Sequence, residues 1–332
     1  MSATRQPLCG QSKATPACLT LLLAGWISVL QPAQAVPPLD TKPGRCRSLT
    51  FDALGSLVHT RVHGNIHIRY ATQGPHAIGS KDDRDGNGIP DRIDDLTLQL
   101  ATAQQIYDDV LGLTPPLRQP RYQLASRINV FVVKLDSGNG RAFDEVVNEK
   151  SNRTDPGLPC GIKIFIDSQV EPSSNITPAH ELFHLYQYGY TMFKSRGYLE
   201  GMARWSETFF IDDTKIDRDQ QRHGDAQCGH AMAQSYGASA FWRRQGKLSG
   251  EAPLVLPTTM RALRYSDDRP VITSQGIQGA RYLRTTLESL AVASREQAIK
   301  RRLPVYNWPE ELQRSDTFDA DICRAAGASG SK

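Results

Sequence analysis

The residues with the most chemistry in their spacing are His180-Glu181-Leu182-Phe183-His184, an H-E-x-x-H pattern. Residues four apart lie one turn apart on a helix face, so both imidazoles can reach a single zinc ion. Glu181 can lean toward a water on that ion. Zinc lowers the pKa of such a water toward about 7, and a neighbouring carboxylate then takes its proton. The expected chemistry is hydrolysis, with Glu181 as general base. The blander reading is a surface helix carrying two histidines. Leu182, Phe183 and Leu185 weaken it, because they give the segment an apolar face to bury.

A catalytic zinc needs a third protein ligand and an open position. Downstream runs Glu200-Gly-Met-Ala203-Arg-Trp205-Ser-Glu207, with Glu200 sixteen residues past His184. An H-E-x-x-H followed by E-x-x-A on the next predicted helix resembles the gluzincin clan of zinc peptidases. In that clan a glutamate on a later helix completes the site, and the resemblance makes Glu200 the third ligand. The competing reading of Glu200 is a solvated acid at a helix start. Glu207 lies two turns further along the same face and suits orienting a histidine from behind. Gly201 and Ala203 are small, as expected where two helices approach closely around an ion. No H-x-x-G-x-x-H follows His184, so the metzincin arrangement is absent. Gluzincins often hold the reaction's oxyanion with a downstream tyrosine or histidine. The resemblance offers Tyr236, His230 and His223, of which Tyr236 is carried forward; its alternative is a half-buried core tyrosine.

A second motif is Asp83-Arg-Asp85-Gly-Asn87-Gly88-Ile89-Pro-Asp91-Arg-Ile-Asp94, which matches D-x-[DN]-x-[DN]-G. Oxygen ligands for a structural calcium would come from Asp83, Asp85, Asn87, the Ile89 carbonyl, Asp91 and Asp94, with Gly88 at the sharp turn. Asp94 stands where an EF-hand has a bidentate glutamate, and no helix precedes the loop. The expectation is an isolated calcium loop at 83–94 that fixes a strand to the helix after it. The alternative is a polar turn with Asp91 capping that helix. Loop and zinc motif together resemble a group of exported bacterial metalloproteases. These carry D-x-D-G-N-G-x-P-D, a helix, two strands, an A-H-E-x-x-H helix and E-G-x-A-x-W-x-E. The parts fall at 83–91, 93–113, 128–135 with 161–167, 179–184 and 200–207. The resemblance implies a zincin-like metallopeptidase domain.

These residues need elements to position them. Ile66, Ile68 and Tyr70 alternate with polar residues, as in a half-buried strand. Ile93, Leu96, Leu100, Ala103, Tyr107, Val110 and Leu111 form one helical stripe over 93–113, stopped by Pro115-Pro116. The β-branched run 128–135 and the alternating isoleucines of 160–167 read as strands, and the polar stretch between them, 136–159, as a long loop. The strand before the motif helix is expected to rim a cleft where substrate backbone adds to its edge. Helices are expected at 179–188, 199–209, 235–244, 279–292 and 295–302. Strands early and helices late give an α+β class: a small twisted sheet packed on the H-E-x-x-H helix, with a mainly helical C-terminal part.

The 332 residues are 39% hydrophobic and 22% charged, which excludes a wholly disordered or collagen-like chain. Residues 1–35 read as a signal peptide: basic Arg5 and Lys13, an apolar run from Cys18 to Leu30, and Ala33-Gln34-Ala35 as cleavage site. Removing it leaves a 36–45 linker, a single domain at 46–324 and a disordered tail at 325–332. It also takes the formal charge from +4 to about +2, too near neutral to favour nucleic acid or an anionic membrane. Of six cysteines, Cys46, Cys160, Cys228 and Cys323 remain, an even set that in an exported chain suggests two disulfides of open pairing. The expectation is a secreted, monomeric zinc endopeptidase acting on polypeptide. The alternatives are a non-catalytic binding domain with structural zinc and calcium, or a zinc hydrolase of a cell-wall amide or ester.

Overall fold

The computed structural model describes residues 40, 42, 45–150, 159–211 and 227–329. The expected leader, most of the linker and His223 lie outside the described residues. The described chain is α+β, with one six-stranded mixed sheet and nine α-helices.

The strands are β1 (Arg47–Thr50), β2 (His59–His63), β3 (Ile66–Tyr70), β4 (Arg127–Val133), β5 (Gly140–Lys150) and β6 (Gly161–Asp167), in the spatial order β1-β5-β6-β4-β3-β2. β2 and β3 form an antiparallel hairpin turned at Gly64, whose φ of 58° is costly for residues with a Cβ. β3, β4 and β6 run parallel, β5 runs antiparallel to β6, and β1 lies parallel to the second half of β5. Alternation sorts the two faces. Ile66, Ile68, Ile128, Val130, Val132, Ile162, Ile164 and Ile166 point into the main core with the helices. Phe131 and Val133 point the other way, under Leu54 and Leu57.

Two helices pack with the sheet to build the site. α1 (Asp91–Gln105) buries Ile93, Leu96, Leu100 and Ala103 and continues through a wider turn, Ile106–Val110, to Leu111. α2 (Thr177–Tyr190) is almost wholly buried, which marks it as the central helix. Its start is fixed on α1: the Tyr107 hydroxyl donates to the Ala179 carbonyl at 3.1 Å, and Gln99 accepts from the Ala179 amide at 3.3 Å. Then follow α3 (Arg196–Ser206), α4 (Cys228–Met232), α5 (Ser239–Leu248), α6 (Thr258–Arg261), α7 (Ala280–Arg301), α8 (Glu310–Arg314) and α9 (Asp319–Ser329). The two helices expected at 279–292 and 295–302 are one, α7, because Ala293 and Ser294 between them are buried within it.

Three expectations need correction. The 136–159 stretch is not a loop throughout, since β5 occupies residues 140–150. A register shift between Phe143 and Val147 breaks its alternation, so no period-two signal survives in the sequence. The strand before the motif helix, β6, is paired on both sides and cannot accept a substrate strand; among the described residues the first half of β5, before β1 joins it, leaves one side open. The tail is not disordered from 325: Ala325 and Ala326 are buried within α9, which a disulfide holds.

Two disulfides are formed. Cys46–Cys160 ties the start of β1 to the start of β6, and Cys228–Cys323 ties α4 to α9. Asp40, the first described residue, accepts a hydrogen bond from the Val305 amide at 2.8 Å. Among the described residues no helix is long and apolar enough to cross a membrane.

Candidate metal centre

On α2, His180 and His184 fall one turn apart, with ring centroids 4.7 Å apart and planes at 89°. α3 brings Glu200 to them. Its Oε2 lies 3.4 Å from His180 Nε2 and 3.7 Å from His184 Nε2, and the three ligand atoms lie within 4.8 Å of one another. Among the described residues this is the one group of three His, Cys, Asp or Glu side chains so gathered.

The ring nitrogens facing away from Glu200 are held. His180 Nδ1 stands 2.8 Å from Glu207 Oε1, and Arg204 pairs with the other oxygen of that carboxylate. His184 Nδ1 stands 2.8 Å from Gln187 Oε1. The Gln187 amide nitrogen donates to the carbonyls of Tyr198 and Leu199, at 3.2 and 3.3 Å, which settles which amide atom faces the histidine. Both Nδ1 atoms therefore carry a proton, and both Nε2 atoms face Glu200. The Nε2 of His180 is buried and makes no hydrogen bond. A divalent cation would supply the partner that this nitrogen lacks, and two imidazoles with one carboxylate form a donor set suited to zinc.

The charges agree with that fit. Burial alone would lower the His180 pKa, but the carboxylates of Glu200 and Glu207 outweigh it and raise it to about 10. Glu200 is held well below the usual carboxylate range, the two histidines overcoming its burial. Three acids, one of them paired with Arg204, crowd two imidazoles, a setting that favours a cation between them.

Glu181 projects from the same turn and is buried against β5. Its pKa is raised, chiefly by burial, while the Ala142 backbone amide donates to it. Tyr236 lies on a short 3-10 turn, Tyr236–Ala238, before α5. Its ring centroid is 5.9 Å from that of His180, its hydroxyl meets Glu200, and the residue is 56% exposed. Burial and the Glu200 charge raise its pKa. Gly201 serves this turn rather than the approach of two helices: a Cβ there would stand 2.6 Å from the Ala238 Cβ. His230 is exposed on α4.

The acidic loop is arranged differently. Asp83 accepts from the amides of Asn87 and Gly88 at 3.0 and 2.8 Å. The Asn87 side-chain amide donates to Asp85 at 3.0 Å and to Asp94 at 2.7 Å. Asp91 begins α1 and accepts from the Arg84 amide at 2.9 Å; Asp94 pairs with Arg61 at 3.2 Å. Three acids thus converge on Asn87. The Ile89 amide donates to the Asn87 side-chain oxygen at 2.7 Å. Gly86 and Gly88 take φ of 70° and 83°, the left-handed turns such a loop requires.

Sequence reasoning missed Gln187 and the β5 edge. Gln187 carries a weak signal, three residues past His184 on the same face, whereas β5 shows none. The chain matches no family model, no curated protein and no solved structure.

Proposed function

We propose that this chain is a zinc-dependent endopeptidase of the gluzincin type, a zincin-like domain exported from the cell and acting on polypeptide substrates. The observation that carries this reading is the convergence of His180, His184 and Glu200, with Glu181 and Tyr236 beside them. A bound zinc would supply Lewis acidity toward a substrate carbonyl and a water. Glu181 takes the proton from that water and passes it to the leaving amine. The Tyr236 hydroxyl donates a hydrogen bond to the carbonyl oxygen as negative charge develops there. Glu207 and Gln187 keep the two imidazoles in the tautomer that presents Nε2.

The free edge of β5 supports an extended peptide. β1 pairs with β5 only from Val147 onward, so, among the described residues, 140–143 have one strand neighbour, β6, and 144–146 lie in the register shift with none. A peptide added there passes Ala142, and with it Glu181. A structural zinc would take four protein ligands. Only three gather among the described residues, and the side chain of Glu200 remains 28% exposed. The 83–94 loop, its acids turned onto Asn87, fits a structural calcium if the Asn87 amide turns its oxygen inward. Two disulfides fit an oxidising compartment.

The test is Glu181→Gln, which keeps the size of the side chain and removes the base. Zinc content should be retained, and cleavage of an unfolded protein substrate should fall by about 100- to 10,000-fold. Cleavage at the original rate by the zinc-loaded variant would falsify the assignment.

A further inference from the structure

A cavity of about 440 Å³ opens where β1 begins and the free edge of β5 ends. Its charged lining is Arg45, Arg47, Arg121, Asp144, Glu145 and Glu310. The acids are already matched. Asp144 pairs with Arg121 and, at 2.9 Å, with Lys194, and these cations overcome its burial to hold its pKa at about 2. Glu310 pairs with Lys194 and, at 2.6 Å, with Arg314. Glu145 has Lys163 at 3.6 Å. Arg45 and Arg47 are exposed and make no ion pair or side-chain hydrogen bond among the described residues. The cavity therefore presents two unmatched positive charges.

Their placement is fixed by the fold. Both flank Cys46, whose disulfide to Cys160 anchors them to the start of β6. Arg47 is in register with Val147, so β1 starts where the free edge of β5 stops. The other end of that edge lies against Glu181 through Gly140 and Ala142. Strand geometry advances about 3.3 Å per residue, so a peptide laid along the edge carries a side chain to the arginines roughly three to five residues from the bond beside Glu181.

We infer that this cavity is a subsite for acidic side chains, and that Arg45 and Arg47 select extended peptides bearing aspartate or glutamate a few residues from the cleaved bond. The inference rests on the peptidase reading for the identity of the ligand, but binding at the arginines can be measured without turnover. Their exposure makes each contact modest and sensitive to salt.

The experiment uses short fluorescent peptides in pairs that differ only in carrying three glutamates or three glutamines at one end. Binding is followed by anisotropy on the zinc-loaded Glu181→Gln full chain, and cleavage is followed separately on the unsubstituted chain. The glutamate peptide should bind roughly five-fold tighter or more at low salt, with the gap closing at high salt. Adding Arg45→Gln and Arg47→Gln together should bring the ratio to one, and Arg47→Glu should shift preference toward a lysine-bearing peptide. Equal binding of the pair, or a preference that survives loss of both arginines, overturns the subsite. Cleavage of the glutamine peptide with no preference in binding leaves the peptidase standing and removes the subsite. A salt-sensitive, arginine-dependent preference without cleavage of any peptide supports the subsite and counts against the peptidase.

Discussion

Gly140 lies against Glu181 so closely that a Cβ on the glycine would stand 2.6 Å from the glutamate Cγ, and equally close to the Thr177 Cγ2. The first residue of β5 is thus part of the wall that positions Glu181, the proposed general base. In Gly140→Ala the Glu181 side chain must shift, since neither contact is with the far end of a flexible chain. Turnover should fall about a hundred-fold, as for a misplacement near 1 Å. Zinc content and far-ultraviolet circular dichroism should match the parent. Full activity in the alanine variant would show that Glu181 is not held by this contact.

Gln187 orients His184 without touching the metal position. In Gln187→Leu the imidazole loses its acceptor and the carbonyls of Tyr198 and Leu199 lose a donor. Zinc affinity, measured by competition with a chelator, should weaken about 10- to 100-fold. The zinc-free variant should lose about 1–3 kcal/mol of stability from the buried groups left unpaired. An unchanged zinc affinity would reduce Gln187 to a packing residue.

Glu149 on β5 gives a pH dependence separate from the metal site. It is almost wholly buried, and burial outweighs Lys163, Arg69, Arg127 and Asn129 to raise its pKa from 4.5 to about 7. The folded state holds this proton more tightly than the unfolded state does. The resulting stability is complete below pH 4.5 and is lost as pH rises toward 7, by roughly 3 kcal/mol. Subtracting the urea-unfolding curve of Glu149→Gln should isolate this slope. A difference between the two proteins that stays constant over that interval would contradict it.

Calcium at the 83–94 loop should stabilise the fold from its periphery. With calcium at a hundred times its dissociation constant, unfolding should cost about 2.7 kcal/mol more than in a calcium chelator. Asp85→Asn removes one of the acids converging on Asn87 and should abolish most of that response. An identical melting temperature with and without calcium would assign the loop to turn formation alone.

The sequence alone determined the α+β class, strands with alternating isoleucines, and the two helices that bear His180, His184 and Glu200. These are periodic or short-range features, and a four-residue spacing on a helix carries its own geometry. The disulfide pairing, the joining of Gly140 to Glu181, the role of Gln187 and the meeting of β1 with the β5 edge were decided only by tertiary structure. β5 is bulged and mixed in polarity, and in its pairings only Val147 has a strand partner on both sides, so no local pattern announces it. Its place follows from packing of β5 against α2, where residues about forty positions apart come into contact and neither carries a signal of the other.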